Sequence, residues 1–415
     1  MAGQYQANPL KSFLMLSAVV AHIPDDNAEY LRSKGVSERA LEIHAQISPL
    51  DLHLDSLMVS WLFGIDLRVN QRDSWKPRKR LLLHALFKLL FPQGQHQPLF
   101  NHADFPRMIE GGFSGACFSA HTLGNNLYPR LGNPWRKVLE QYQLLTNLAT
   151  EPGSPLAIAK SPDEFRRHAA PGRIVAIFSV EGVHCLGPVW PCTRNKRLGR
   201  LEKLRNEHGA AYVTVNHFSS NDVAVSSLSV LATNDPNQGT GPLAEELVAT
   251  ANRLGLILDL AHTNRQGILE IARMSSKPVI ATHAGIFEIP EKINPGGRYN
   301  RRMLDRDSIK AIAATGGCIG VMFSPYFLHG KEKDGSLDLV VQHCNHLKHE
   351  VGYEHVCLGT DFDGALPSIP LEMRDAADLP LFTQKLLETG WVEREIKAMY
   401  CENFLRVWEE NLRTS

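Results

Sequence analysis

The sequence predicts a single-domain α/β protein, a (β/α)8 barrel of the TIM type. Three observations carry that reading. Short apolar runs alternate with helix-like segments from about residue 50 to the end, there are eight such runs, and ionisable side chains directly follow six of them. Alternation of this kind implies a parallel sheet with helices on its faces. Eight repeats favour a closed barrel over an open sheet, and barrel enzymes gather their reactive groups at the C-terminal strand ends. No G-x-G-x-x-G follows the first run and no G-x-x-x-x-G-K-[ST] occurs, so a nucleotide-binding fold lacks its signature.

In chain order, the expected strands are Leu50–Asp55, Gly115–His121, Arg173–Glu181, Ala211–Asn216, Leu256–Ala261, Pro278–His283, Gly317–Met322 and His355–Asp361. Between them the spacing predicts helices such as Pro242–Leu254, Arg306–Ala314 and Leu337–Val351. Two stretches break the rhythm. Residues 64–102 follow the first strand and carry Ser74-Trp75-Lys76-Pro77-Arg78-Lys79-Arg80 ahead of the apolar Leu81–Phe91. That insertion reads as a lid or dimer element beside the site, its charges as a solvated face. Phe287–Arg302, rich in Pro, Gly and Arg, reads as a loop over the site. Residues 1–40 form an N-terminal helical extension and residues 41–415 the barrel.

Within that extension, Lys11 precedes an apolar run, Ser12–Ala21, of the length of a signal h-region. One basic residue and no A-x-A site make a packed helix the better reading, and a cytoplasmic location with it. No run reaches the roughly 20 apolar residues that a membrane span needs. With 44 basic and 44 acidic residues the formal charge is zero, which argues against general binding to nucleic acid. Seven cysteines are scattered without a C-x-x-C pair, three of them (Cys117, Cys318, Cys357) in strand-like runs. They read as buried thiols, and none stands beside an obvious activating base.

The chemistry sits at the strand ends: His53 and Asp55 on the first, Glu181 on the third, His217 after the fourth, Asp259 and His262 on the fifth, His283 on the sixth, Asp361 and Asp363 on the eighth. Any one of these could merely cap a strand or helix; together at one mouth they point to a site. His53 and Asp55, two apart in a strand, project to one face and offer imidazole and carboxylate to a divalent metal. Two further histidines could hold a second ion, with Glu181 bridging. Two zinc-like ions that share a hydroxide would polarise a scissile carbonyl. By contrast, His343-Cys344-Asn345-His346 with His349 lies in a helix-like segment and reads as a solvated or capped helix. Neither G-x-S-x-G nor H-E-x-x-H occurs.

These motifs resemble the renal (membrane) dipeptidase family of the amidohydrolase superfamily, from about residue 40 to the C-terminus. The family's D-G-H-x-D corresponds to Asp51-Leu52-His53-Leu54-Asp55, and its D-L-P-R-x-x-E-G-G to Asp104-Phe105-Pro106-Arg107-Met108-Ile109-Glu110-Gly111-Gly112. S-x-E-G, D-L-[SA]-H, [ST]-H and G-x-D-F-D-G follow in order, and the tail from Glu402 to Val407 resembles the family's closing helix. The resemblance implies that His53 and Asp55 ligate one metal, that His262 and His283 ligate the other, and that Glu181 bridges. It places His217 near the substrate carbonyl, where it could stabilise the oxyanion, and makes Asp361 the proton shuttle, with Asp363 the alternative. Arg302 would hold the substrate's free carboxylate, with Arg298 or Arg301 as alternatives.

The activity so implied is cleavage of a dipeptide with a free C-terminal carboxylate by a homodimer using two divalent ions, zinc being the first choice, with tolerance for a D-residue at that end. Hydrolysis of an N-acyl amino acid or lactone is the second reading, and a degenerate barrel the third. Leu52 and Leu54 replace the family's Gly and a small or polar residue, which predicts a stiffer strand and a more apolar site wall. The segment between His53 and Asp104 is longer than usual, and Met303 stands where the family has Asn.

Overall fold

The computed structural model describes residues 23–72, 100–122, 132–187, 193–228, 237–287, 301–324, 327–328, 335–364 and 369–413. The apolar run at 12–21, the basic stretch at 74–80 with the run that follows it, Cys192 and Arg298 lie outside these residues.

Nine strands occur among the described residues: β1 (Leu50–Leu54), β2 (Gly115–His121), β3 (Leu156–Ala159), β4 (Ile174–Glu181), β5 (Tyr212–Thr214), β6 (Ile257–Asp259), β7 (Ala281–Ala284), β8 (Ile319–Val321) and β9 (Val356–Leu358). All pair in parallel, in the orders β1-β2-β4-β5-β6 and β7-β8-β9. Parallel bridges at Asp259↔Ile280 and Leu54↔Phe362 join the two sheets at both seams. The result is a closed ring of eight strands, the (β/α)8 barrel that the alternation predicts.

The ninth strand, β3, was not expected. It pairs with the N-terminal half of β4, from Leu156↔Ile174 to Ala159↔Ile177. Farther along the same edge, β5 takes over at Ser179↔Tyr212. With four residues, this strand is too short to show a period in the sequence.

Two apolar layers hold the barrel. Strand residues such as Phe118, Phe178, Val213, Leu258 and Val321 pack outward against the helices. Leu50, Leu52, Cys117, Val175, Ile177, Tyr212, Ile257 and Ile280 make up a second, inner cluster. Phe404, Leu405, Val407 and Trp408, from the helix Asn403–Leu412, join that inner cluster. Asn411 on the same helix donates to Pro278 O ahead of β7, so the helix covers the N-terminal end of the ring. Helices Arg306–Ala314 and Leu337–Val351 have the expected bounds, set by N-caps Asp305 and Ser336 that accept from Ser308 N and Leu339 N.

Register breaks fall on the two strands that carry His53 and His283. β1 pairs Asp51↔Ala116 and then Leu54↔Phe118, while β7 pairs Ala281↔Ile319 and then Ala284↔Val321. Each has one residue more than its neighbour, a bulge that lets two successive side chains face inward. On β1 these are Leu52 and His53. Leu54 lies in the outer layer instead, so it does not make the site wall more apolar.

The Asp104–Gly112 motif is a structural joint. Asp104 caps the helix Phe105–Glu110 and binds Arg107 Nε at 2.7 Å. Arg107 also reaches Asp375 at 3.2 Å and the main-chain and side-chain oxygens of Asn101 at 2.8 Å each. Arg72 spans both oxygens of Asp375, sharing Oδ2 with Arg107 at 2.7 Å and reaching Oδ1 at 3.0 Å. At Gly111 a Cβ would fall 2.1 Å from Ala376 O, so only glycine permits this approach. Arg107→Leu would leave Asp104 and Asp375 buried without their common partner. It is expected to cost about 3–5 kcal/mol of stability, read as a lower urea midpoint; a loss within the error of the measurement would remove the joint from the account.

Candidate metal centre

Glu181 ends β4 at the C-terminal mouth and is buried among five imidazoles. Its Oε1 lies 3.7 Å from His53 Nε2, 3.1 Å from His262 Nε2 and 3.7 Å from His283 Nε2. Oε2 lies 3.5 Å from His121 Nδ1 and 3.8 Å from His217 Nε2. Asp55 Oδ1 stands 3.8 Å from His53 Nε2, and His53, Asp55 and Asp361 form a second convergent set. The structure therefore brings His53, Asp55, Glu181, His217, His262, His283 and Asp361 to one mouth.

Four strand residues, Tyr212, Thr282, Asp259 and Asp51, prepare the histidines. Tyr212 on β5 donates its hydroxyl to Leu52 O at 2.8 Å, and its oxygen faces His53 Nδ1 at 3.1 Å. With that hydroxyl hydrogen spent, the proton between them belongs to His53 Nδ1, and Nε2 keeps its lone pair. Thr282 repeats the logic: its hydroxyl donates to Asp259 Oδ2 at 2.8 Å and its oxygen meets His283 Nδ1 at 2.9 Å. Asp259 also accepts from Thr214 Oγ1 at 2.6 Å and from Thr282 N at 2.8 Å, tying β5, β6 and β7 together. Asp51 does the same across the other seam, accepting from His53 N at 3.1 Å, Thr360 N at 3.0 Å and Thr360 Oγ1 at 2.5 Å.

Burial holds the imidazoles neutral. It pushes His53 and His121 down to about 3, and His217, His262 and His283 well below the ordinary histidine range. Neutral imidazole is the form that ligates metal. Burial also raises Asp55 and Glu181, with neighbouring carboxylates adding to the rise. His53 Nε2, Asp55 Oδ1 and Glu181 Oε2 are buried without a hydrogen-bond partner. Neutral nitrogen donors, clustered carboxylates and orphaned atoms converging on one point fit a divalent cation.

Asp361 and Asp363 both adopt left-handed backbone, at φ 61° and 67°, and have different surroundings. Asp363 accepts from Ser56 Oγ at 2.5 Å and from His102 N at 2.8 Å, which ties loops together. Asp361 faces the cluster; burial pushes its carboxyl up to about 7, against the pull of Arg302 and with a contribution from Asp51. Arg302 is buried, donating to Ala261 O and, at 3.1 Å, to His283 O, while its Nε has no partner. Arg301 is exposed.

Residues 38–415 match the membrane dipeptidase family, peptidase family M19. The chain belongs to this family. The barrel agrees with that membership, which makes the chain a metallo-dipeptidase-like hydrolase and implies the use of divalent metal. A dipeptidase of Schizosaccharomyces pombe, itself uncharacterized, is 26% identical over 326 residues, 75% of this chain and 73% of that protein. Among solved structures, dipeptidase AC, a family M19 metallopeptidase, superposes with a TM-score of 0.68 at 22% identity, over 88% of this chain and 98% of its own. A metallopeptidase from Rhodobacter sphaeroides, liganded with a phosphinate mimic of the dipeptide L-Ala-D-Ala, gives 0.67 at 21% identity, over 88% and 99%. At these identities the structural likeness speaks for the fold. No helix among the described residues is long and apolar enough to cross a membrane.

Two features of this dipeptidase-family centre were not expected from sequence. His121 closes β2 opposite Glu181 in register, as an ionisable residue ending an apolar run, and that signal was available. The second is Cys185, whose Sγ lies 3.6 Å from His184 Nε2 and 3.3 Å from Glu181 O, so one thiol does stand beside a base. The six described cysteines are all buried and unpaired. His343 is a buried core histidine: Ile286 N donates to its Nδ1 at 2.9 Å and its Nε2 meets Leu328 O at 3.2 Å. Its helix is therefore not merely a solvated one.

Tyr212→Phe removes the oxygen that orients His53 and leaves the inner layer filled. Divalent-metal affinity is expected to fall about 10–100-fold, measured by competition with a chromogenic chelator, with little change in the circular dichroism melt. Unchanged affinity would show that Tyr212 serves only the barrel.

Proposed function

We propose that this protein is a binuclear hydrolase of dipeptides that carry a free C-terminal carboxylate. The observation that carries the reading is the gathering of strand-end imidazoles and carboxylates around Glu181, with the Arg302 guanidinium behind them. His53 and Asp55 would hold one ion, His262 and His283 the other, and Glu181 would lie between. Zinc is the ion that this mixture of imidazole and carboxylate suits first. When bound, the pair of ions would supply a nucleophilic water at neutral pH and polarise the scissile carbonyl.

The chain's own groups do the rest. Asp361 accepts a proton from the attacking water and returns it to the leaving amine nitrogen, a task matched to a carboxyl held near neutrality. His217 is neutral and partly accessible, and donates an N–H to the oxyanion as the carbonyl carbon becomes tetrahedral. Arg302 is chosen over Arg301 because it is buried at the mouth, where a guanidinium–carboxylate pair is shielded from water. Its two backbone contacts with Ala261 and His283 fix the guanidinium, and the unpartnered Nε is left to the substrate.

Two variants test the assignment on L-Ala-L-Ala and L-Ala-D-Ala. Asp361→Asn is expected to lower kcat about 10²–10⁴-fold with zinc content unchanged; full activity in a zinc-loaded variant would rule out the shuttle. Arg302→Met is expected to raise KM for free dipeptides about 10–100-fold and to spare the corresponding dipeptide amides. Equal losses on both substrates would assign Arg302 to scaffolding. A zinc-loaded wild-type protein inactive on all these peptides would overturn the proposal.

A further inference from the structure

Two phenylalanines from separate strand-end segments meet at the mouth. Phe218 comes directly after His217, beyond β5, and Phe327 follows β8, its N–H donating to Ser324 O at 3.1 Å. β5 and β8 are not neighbours in the ring, since β6 and β7 stand between them. The two rings nevertheless lie 6.4 Å apart, tilted by 31°. They therefore reach across the part of the mouth that carries His262, His283 and Arg302.

Each ring touches one end of the path that a bound dipeptide would take. Phe218 meets the His217 ring at 4.4 Å and the His262 ring, edge to face, at 4.9 Å. Phe327 lies against the Arg302 guanidinium, 5.8 Å from ring centre to Cζ, a cation–π separation. Gly285, just past His283, permits that approach: a Cβ there would fall 2.2 Å from Phe327 O. Phe327 is fully packed, whereas Phe218 leans on the outer apolar layer and keeps part of its ring exposed.

A dipeptide with its carboxylate on Arg302 and its scissile carbonyl beside His217 has its C-terminal Cα between those two groups, next to the paired rings. We propose that Phe218, backed by Phe327, is the wall of the pocket for the C-terminal side chain, and that the preferred substrates are dipeptides ending in a large apolar or aromatic residue. This rests on the dipeptidase reading above and names its substrate class. Seating such a side chain on Phe218 takes apolar surface of both partners out of water. A charged side chain in the same place would be desolvated against rings that offer it no counter-charge, since His217 and His262 are neutral.

Zinc-loaded full-length protein is assayed on L-Ala-Gly, L-Ala-Phe and L-Ala-Asp, beside the variants Phe218→Ala and Phe218→Leu. The C-terminal Phe and Asp are supplied in both L and D configuration, because the two direct the side chain to opposite sides of Cα. In at least one configuration, wild-type kcat/KM is expected to be about tenfold or more higher for Phe than for Gly, with Asp below Gly. Phe218→Ala is expected to abolish the Phe-over-Gly ratio through KM, and Phe218→Leu, which keeps apolar bulk, to retain most of it. The wild-type series tests the substrate class independently of any variant: no preference for Phe in either configuration, or Asp ahead of Phe, sinks the pocket. So does a preference that survives in Phe218→Ala. Equal losses on the Phe and Gly substrates would assign Phe218 to supporting His217 instead. Wild-type protein that cleaves none of these peptides would overturn the dipeptidase reading itself.

Discussion

The constraint on which the barrel mouth depends is the burial of one carboxylate, Glu181, among five imidazoles, with Asp55 and Asp361 close by. Burial disfavours both ionised carboxylates and protonated histidines, so the cluster cannot neutralise itself by forming ordinary ion pairs. The shifts point that way: the histidines are held down and the carboxyls are held up. A protein carries such an arrangement only if something it binds repays the cost. That demand agrees with the metal use that family membership implies.

The demand explains the rigidity beneath the mouth. Asp51 and Asp259 sit at the two seams where the ring closes, each accepting backbone and threonine donors from neighbouring strands. Tyr212 and Thr282 then hand that rigidity to His53 and His283 by fixing which nitrogen bears the proton. The bulges on β1 and β7 complete the device, because without an extra residue His53 and His283 would not share the interior with their preceding side chains. Their rings stack 4.0 Å apart as a consequence.

Much of this is legible in the sequence, for identifiable reasons. The ring strands are short apolar runs buried on both faces, and all but β8 lead into a charged or imidazole side chain, a pattern that a single sequence displays. β3 escapes because Leu156–Ala159 is only four residues long between turn-forming neighbours. The fate of Leu54 escapes because a bulge reverses the inward–outward alternation without marking the sequence. His121 has the same signature as the other strand ends but belongs to none of the ordered family motifs. Cys185 escapes because its pairing with His184 depends on a tight turn, Val183–Leu186, that folds it back toward Glu181.

The turn after β9 shows how position divides labour between two chemically identical residues. Asp361 and Asp363 are two apart, both left-handed and alike in side chain, and sequence offers no physical ground for choosing between them. Asp363 has its oxygens taken by the Ser56 hydroxyl and the His102 amide, and His102 Nδ1 accepts from its backbone N–H at 3.0 Å. A carboxylate so held is tied into the loops and is not aimed at the cluster. Asp361 has the Arg302 guanidinium and the Asp51 carboxyl as its electrostatic neighbours and faces His53 and Asp55. Holding one acid by hydrogen bonds and leaving the other in a buried, lightly solvated position is how a single turn serves both as a strut and as a candidate proton carrier.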